Sequence, residues 1–398
     1  MIRNLALALA AVVALSAFRA DAVEVVVHPA DGDEVRGTLA GLDGKALLVE
    51  AQAGGVRKFA LADLMAVDFP AVAAPSAEGC ALVCTVSGDE IPAKLGATAG
   101  GKLSASGPWT GKFEVSTKAL RGLVMPAGIK DEKVRAEVGR TGRRKDKIFL
   151  LNDEMDGIFE KLDDGAMKFK SDVLGAMDYK FDEVLGVAFA EIEPWNAPAG
   201  TYLLAELAGG GRVLGLPEKL DGEGLKWKTL DGADLRLVAS AVTTLRVRNG
   251  RVTYLSELEP ARVEEKHFIE GLPFVWKFKA DLDVFGKPLS LGGTKFRRGL
   301  GVAASTRLTY SLEGGAYRRF KASAGVCDAT AAGGRTLFSV LVDGKEAFAT
   351  KPLMTRGDKP VKVDVKLEKA KELTLVVDFG DDSDLGDIGG WGDARLVK

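Results

Sequence analysis

Val361-Lys-Val-Asp-Val-Lys-Leu-Glu368 and, a few residues on, Leu373-Thr-Leu-Val-Val-Asp-Phe379 decide the fold class. Val361, Val363, Val365 and Leu367 alternate with charged residues, the period-two pattern of a half-buried strand. Leu373, Leu375, Val377 and Phe379 alternate likewise, but Val376 adds an apolar residue on the other face, so this strand is expected to lie deeper. Outward from here, Leu337 to Asp343, then Gly344-Lys345, then Glu346 to Ala349 reads as a hairpin. Leu308-Thr-Tyr-Ser-Leu312 and Tyr317 to Ala322 give two more strands around Gly314-Gly315. Eight or so short strands in about 110 residues, with no helical period, predict a jelly-roll sandwich. The chain closes on Asp387-Ile-Gly-Gly-Trp-Gly-Asp-Ala-Arg-Leu396, a tryptophan among carboxylates.

The preceding residues repeat themselves. Segments 60–69, 115–124, 180–189 and 238–247 share a polar step, an apolar residue and an alternating strand. Leu64, Leu120, Val184 and Val242 fall at like positions, spaced by 56, 64 and 58 residues, which predicts tandem modules. Asp31-Gly32, Asp43-Gly44, Gly100-Gly101, Asp164-Gly165, Asp221-Gly222 and Asp231-Gly232 mark tight hairpins within them. The expected chain is therefore all-β, with small SH3-like or Sm-like β-barrel units over 23–70, 79–127, 145–190 and 200–258. A sandwich over 260–398 follows them. Pro/Ala-rich stretches at 70–78 and 191–200 read as linkers.

At the N-terminus, Arg3 precedes the apolar run Leu5 to Ala17, and Ala20-Asp21-Ala22 fits the small-x-small cleavage rule. Residues 1–22 are thus expected to be an export signal, placing the protein in the periplasm, at the cell surface or outside the cell. The run is shorter than the roughly 20 residues of a spanning helix, so no membrane span is expected. Among 398 residues, 54 Lys and Arg balance 56 Asp and Glu, which argues against nucleic acid as a partner. The densest basic run, Arg140 to Lys147, is followed by acids and reads as a solvated linker. Cys80, Cys84 and Cys327 do not suggest a disulfide framework. His28 and His267 lack metal-spaced partners, and no nucleophile elbow, P-loop or dinucleotide fingerprint is present.

The C-terminal segment resembles the NPCM family of carbohydrate-binding modules. That family is similar to the sugar-binding module attached to glycoside hydrolase family 98 and to carbohydrate-binding module family 51. The resemblance rests on Pro288 to Val302 (with Arg298-Gly-Leu-Gly-Val302), Leu308 to Leu312, Tyr317 to Ala322, Gly325-Val-Cys-Asp328, Phe338 to Lys345 and Trp391 to Leu396. It implies a galactose-binding-like sandwich that takes terminal sugars in loops at one end. Trp391 would stack on the sugar or anchor the loop, with Asp387, Asp393 and Asp328 as polar contacts. Read from residues alone, Trp391 is equally a core plug, and Asp393 is equally a ligand for a structural calcium ion. The acidic run Asp381, Asp382, Asp384, Asp387 misses EF-hand spacing, and no other cofactor is expected. Four positions depart from the family pattern: Ala303, Cys327, Ile388 and Gly390 stand where polar groups are usual.

The reading is an exported, non-catalytic glycan-binding protein whose barrel units are open to protein partners. The alternative is a structural or assembly protein of the cell surface whose sandwich no longer binds sugar. A glycosidase would need two carboxylates held about 5–10 Å apart in a cleft, and no segment reads as a catalytic barrel.

Overall fold

The computed structural model describes residues 23–70, 76–163, 165–191, 194–269, 276–312, 316–330, 334–380 and 386–398. The expected export signal, part of each linker and Asp381, Asp382 and Asp384 lie outside them. The chain forms two compact units, Met1–Gly250 and Arg251–Lys398.

In the first unit one five-strand succession occurs four times. It begins with Glu24–Pro29, Val35–Leu42, Ala46–Ala51, Val56–Ala60 and Leu64–Asp68. It recurs from Ala81 to Val124, from Asp146 to Ala188 and from Tyr202 to Arg248. Each time the first strand pairs antiparallel with the second and the fifth, the second with the third, and the third with the fourth. Each second strand carries an irregularity at a like place, beginning at Leu39, Leu95, Phe159 and Pro217. Such bulges bend and twist a strand, and buried residues from all four repeats form one continuous core. Leu64, Leu120, Val184 and Val242 each open the fifth strand and are at most 3% exposed.

The fifth strands also join the repeats in pairs. Leu64–Asp68 runs antiparallel to Val242–Arg248, so the first and fourth repeats share a sheet. Leu120–Val124 does the same with Val184–Ala188, joining the second and third. The second and fourth repeats also meet, through Arg212 opposite Glu90 and the Val238 N–H donating to the Trp109 carbonyl at 2.8 Å.

A helix, Glu132–Gly139, was not legible as one in the sequence. Asp131 caps it by accepting from the N–H groups of Lys133 and Val134, an N-cap arrangement that satisfies otherwise orphaned donors. Val134 and Val138, one turn apart, pack with Leu82, Val124, Phe149 and Ala188 on the sheet shared by the second and third repeats. The basic residues after it are paired: Arg143 with Glu137, Lys145 with Asp172 and Lys147 with Glu154. The seat of the helix is made by two glycines. A Cβ at Gly122 would come 2.8 Å from Val138 Cγ1, and one at Gly186 would come 2.8 Å from Val134 Cγ1. Gly122→Ala and Gly186→Ala should each lower stability by about 1–3 kcal/mol through overpacking. Urea denaturation of the full chain checks this; unchanged midpoints would show that the helix is not seated there.

The second unit is a sandwich of two antiparallel sheets. One orders Lys279–Ala280, Gly299–Ala303, Ile388–Val397, Arg319–Val326 and Val361–Lys366, with Val252–Tyr254 also against Ile388–Val397. The other orders Arg262–Glu265, Thr306–Ser311, Glu372–Phe379, Arg335–Val342 and Lys345–Ala349, with Met354–Thr355 beside Arg335–Val342. Between them Leu300, Val302, Leu308, Phe320, Phe338, Val340, Leu375 and Leu396 form the core. Residues 251–258, read from sequence as the end of the fourth unit, belong here instead: Tyr254 pairs with Arg395, and Leu255 is fully buried in this core.

Candidate functional site

Four segments converge at one end of the sandwich. Cys327 N–H donates to the Ile388 carbonyl at 2.8 Å, Ala304 N–H to the Asp387 carbonyl at 2.8 Å, and Asp328 N–H to the Ser290 carbonyl at 2.9 Å. The Ser290–Leu291 strand and Thr294–Lys295 make a small hairpin over them.

The candidate residues separate into different roles here. Trp391 sits on the central strand between Leu300 and Ala324, is 0% exposed, and packs edge-on against Phe338 at 5.5 Å and Phe320 at 6.3 Å. A ring with no exposed face cannot stack on a sugar, so the stacking role expected of Trp391 gives way to packing. Its neighbours are glycines for the same reason. A Cβ at Gly389 would meet Phe338 at 2.4 Å, and one at Gly392 would meet the Phe296 ring at 2.5 Å. Asp387 is also 0% exposed, with Oδ1 accepting from the Thr336 hydroxyl at 3.3 Å. Its carboxylate is turned into the fold, which corrects its expected role as a sugar contact. Asp328 accepts from the Ser290 hydroxyl and the Gly293 N–H, so it fastens the 290–295 hairpin. Asp393 is half-buried with φ +50°, its N–H donating to the Arg298 carbonyl and its carbonyl accepting from Arg395. Among the described residues no three His, Cys, Asp or Glu side chains are grouped to hold a metal ion.

The four departures from the family pattern are one feature in space. Ala303, Cys327 and Ile388 share a buried cluster with Val284, Leu289 and Leu291. The Cβ position that Gly390 lacks is filled by Leu289, whose Cδ1 lies 2.8 Å away. Where polar groups would line a loop-end cavity, apolar side chains pack on one another. The Cys327 thiol lies 3.8 Å from Asp283 Oδ2, and burial pushes its pKa up, so it is a neutral part of this cluster.

Two aromatics that sequence reasoning left out of the site lie against or beside it. Trp276 is half-buried and packs on the apolar cluster, and its ring meets Phe285 at 5.0 Å and 77°. Phe285 is 39% exposed. It is held out by the turn Asp283-Val-Phe-Gly-Lys287: the Gly286 N–H donates to the Asp283 carbonyl at 2.9 Å, and the Lys287 N–H donates to Asp283 Oδ1 at 2.8 Å. An aspartate followed three residues later by glycine is a turn signal, and the aromatic between them was the available clue. Arg298, at the far end of the Gly299–Ala303 strand, is paired with Asp281 at 2.7 Å and Glu257 at 3.2 Å. The arrangement offers an apolar, partly exposed aromatic pair.

With that geometry in place, residues 251–397 match the NPCBM/NEW2 domain family, the family of the resemblance described above. A curated relative from Renibacterium salmoninarum, named "Putative endo-alpha-N-acetylgalactosaminidase", is 31% identical over 112 residues. That stretch is 28% of this chain and 7% of the relative, so the chain spans only a small part of that protein. Among solved structures, a CBM51 module of Clostridium perfringens GH95 in complex with methyl-galactose is 31% identical. The match covers 37% of this chain and 99% of that one, at a TM-score of 0.33. The tandem CBM51 modules of a family 98 glycoside hydrolase from Streptococcus pneumoniae are 12% identical, with 80% and 88% covered and a TM-score of 0.32.

Proposed function

We propose that the protein is an exported, non-catalytic glycan-binding protein whose sandwich meets sugar through Trp276 and Phe285. The family match over residues 251–397 supports the ligand class, and the partly exposed Trp276–Phe285 pair supports the place. An aromatic face covers the apolar side of a pyranose while edge groups take its hydroxyls. A single shallow contact of this kind is weak, so clustered glycans are the natural target. The four repeats, in this reading, are SH3-like or Sm-like barrels that contribute protein contacts rather than chemistry.

The test is a glycan array probed with the full chain, followed by titration of any hit. Trp276→Ala and Phe285→Ala should each weaken binding about tenfold or more, the equivalent of about 1.4 kcal/mol, while Trp391→Phe leaves affinity unchanged. A chelator arm addresses calcium at Asp393: undiminished binding removes that ion from the reading. If the folded wild type retains no glycan, the structural alternative stands. The packing of Ala303, Cys327 and Ile388 into one apolar cluster is the observation that favours it.

A further inference from the structure

We propose a second binding site, for a tetrahedral oxyanion such as sulfate or phosphate, in the N-terminal unit where Arg121, Arg135 and Arg212 converge on one cleft. The three guanidiniums come from three elements. Arg121 lies on the strand Leu120–Val124, Arg135 on the helix Glu132–Gly139, and Arg212 at the start of the strand Arg212–Asp221 in the fourth repeat. They line a small cleft of ≈ 50 Å³ with Leu82, Cys84, Asp89 and Glu90.

The charges do not cancel. Glu90 is shared, with one carboxylate oxygen 2.8 Å from Arg212 and the other 3.5 Å from Arg135. Arg121 donates instead to neutral acceptors, the carbonyls of Val86 at 2.8 Å and Gly139 at 3.3 Å. Asp89, the other carboxyl of the cleft, is 1% exposed and faces away into its own network. Its Oδ1 accepts from the Leu214 N–H, and its Oδ2 accepts from the Thr85 and Ser87 hydroxyls. Burial pushes its pKa up to about 7, so its charge is partly quenched at neutral pH. The Cys84 thiol in the floor is pushed up to about 12 by burial and stays neutral. Three cations thus face one committed carboxylate and one largely withheld one.

Arginine forks suit oxyanions better than point charges do, because each presents paired N–H donors in a plane. Donors from three directions match an acceptor whose oxygens point in three directions, whereas a carboxylate offers two in one plane. The site would occupy the contact of the second and fourth repeats, so an anion there would also tie those repeats together. A sulfate ester on a glycan and free phosphate share this chemistry, and the experiment separates them.

Isothermal titration of the full chain in low-salt buffer would use inorganic sulfate, then inorganic phosphate. Further arms use a sulfated oligosaccharide and an uncharged oligosaccharide of the same backbone. Saturable binding of the inorganic ions is expected. Arg135→Gln and Arg212→Gln should each weaken it about tenfold, the size of one lost charge-assisted hydrogen bond. Arg121→Gln should do the same, but it also ties Val86 to the helix end, so its fold is checked by circular dichroism. The Arg135→Gln/Arg212→Gln pair is the variant that decides if Arg121→Gln unfolds. Tighter binding of the sulfated than of the uncharged oligosaccharide assigns the site to a glycan sulfate, and binding of the inorganic ions alone assigns it to free phosphate or sulfate. Trp276→Ala should leave binding of the inorganic ions unchanged while weakening the uncharged oligosaccharide, so failure here is distinct from failure of the sugar site. No saturable binding of either ion, or equal binding by the double variant, overturns the proposal.

Discussion

Trp391→Ala is expected to lower the stability of the sandwich by about 3–5 kcal/mol, the range for truncating a fully buried large aromatic. The ring is 0% exposed and closes the space between the two sheets against Phe320 and Phe338. Removing it leaves a cavity that its neighbours cannot fill, because the flanking Gly390 and Gly392 have no side chains to bring in. Trp391→Phe should be much milder, since among the described residues the indole Nε1–H has no hydrogen-bond partner and only volume is lost. Chemical denaturation of the two variants, read by near-UV circular dichroism, gives both numbers. A loss below about 1 kcal/mol for the alanine variant, a size more usual at surface positions, would refute the packing role and reopen the ring as a ligand surface.

The second large effect is a dependence on pH. Asp89 has its pKa raised from 3.8 to about 7, chiefly by burial, with Asp231 adding to the rise and the Leu214, Thr85 and Ser87 donors opposing it. Because the folded value exceeds the unfolded one, the proton favours the folded state. The stabilisation is complete below about pH 4 and is lost as pH rises to about 7. A difference of about 3 pKa units corresponds to about 4 kcal/mol. Asp89→Asn keeps the shape and one acceptor without the charge, so its stability should be flat over the same window. Urea midpoints of wild type and Asp89→Asn at pH 4 and pH 8 check this. A gap between the two proteins that does not change with pH would sink the assignment.

The strand pattern of the sandwich was legible because alternation is local. Val363, Val365 and Leu367 are buried while Lys362, Asp364 and Lys366 are exposed, as the alternation predicts, but Val361 at the start of the strand is 37% exposed. Val376 lies buried on the opposite face from Leu375 and Val377, consistent with the deeper strand expected there. The helix Glu132–Gly139 was hidden because only Val134 and Val138 of its eight residues are buried, too few to show a period against a charged background. At the end of the sandwich where these segments converge, the sequence named the departures Ala303, Cys327, Ile388 and Gly390 but not that they meet. Trp391 had the right chemistry for a platform, and only the side chains arriving from other strands make it a plug. Phe285 went unnoticed for the opposite reason, as its exposure depends on a turn held by a backbone N–H.

The pairing of the first and fourth repeats bears on how this chain can be made. Asp68 and Thr244, 3.0 Å apart in the finished sheet, are separated by 176 residues. At about 5–20 residues per second, the first repeat would wait about 10–35 s for its partner strand to be synthesised. Throughout that interval Leu64–Asp68 is an unpaired edge, the kind of backbone template that recruits other chains. Secretion of an unfolded precursor that begins folding only when all four repeats are present would avoid the hazard. Truncation after the third repeat would make it permanent, and such fragments should aggregate rather than yield a smaller stable array.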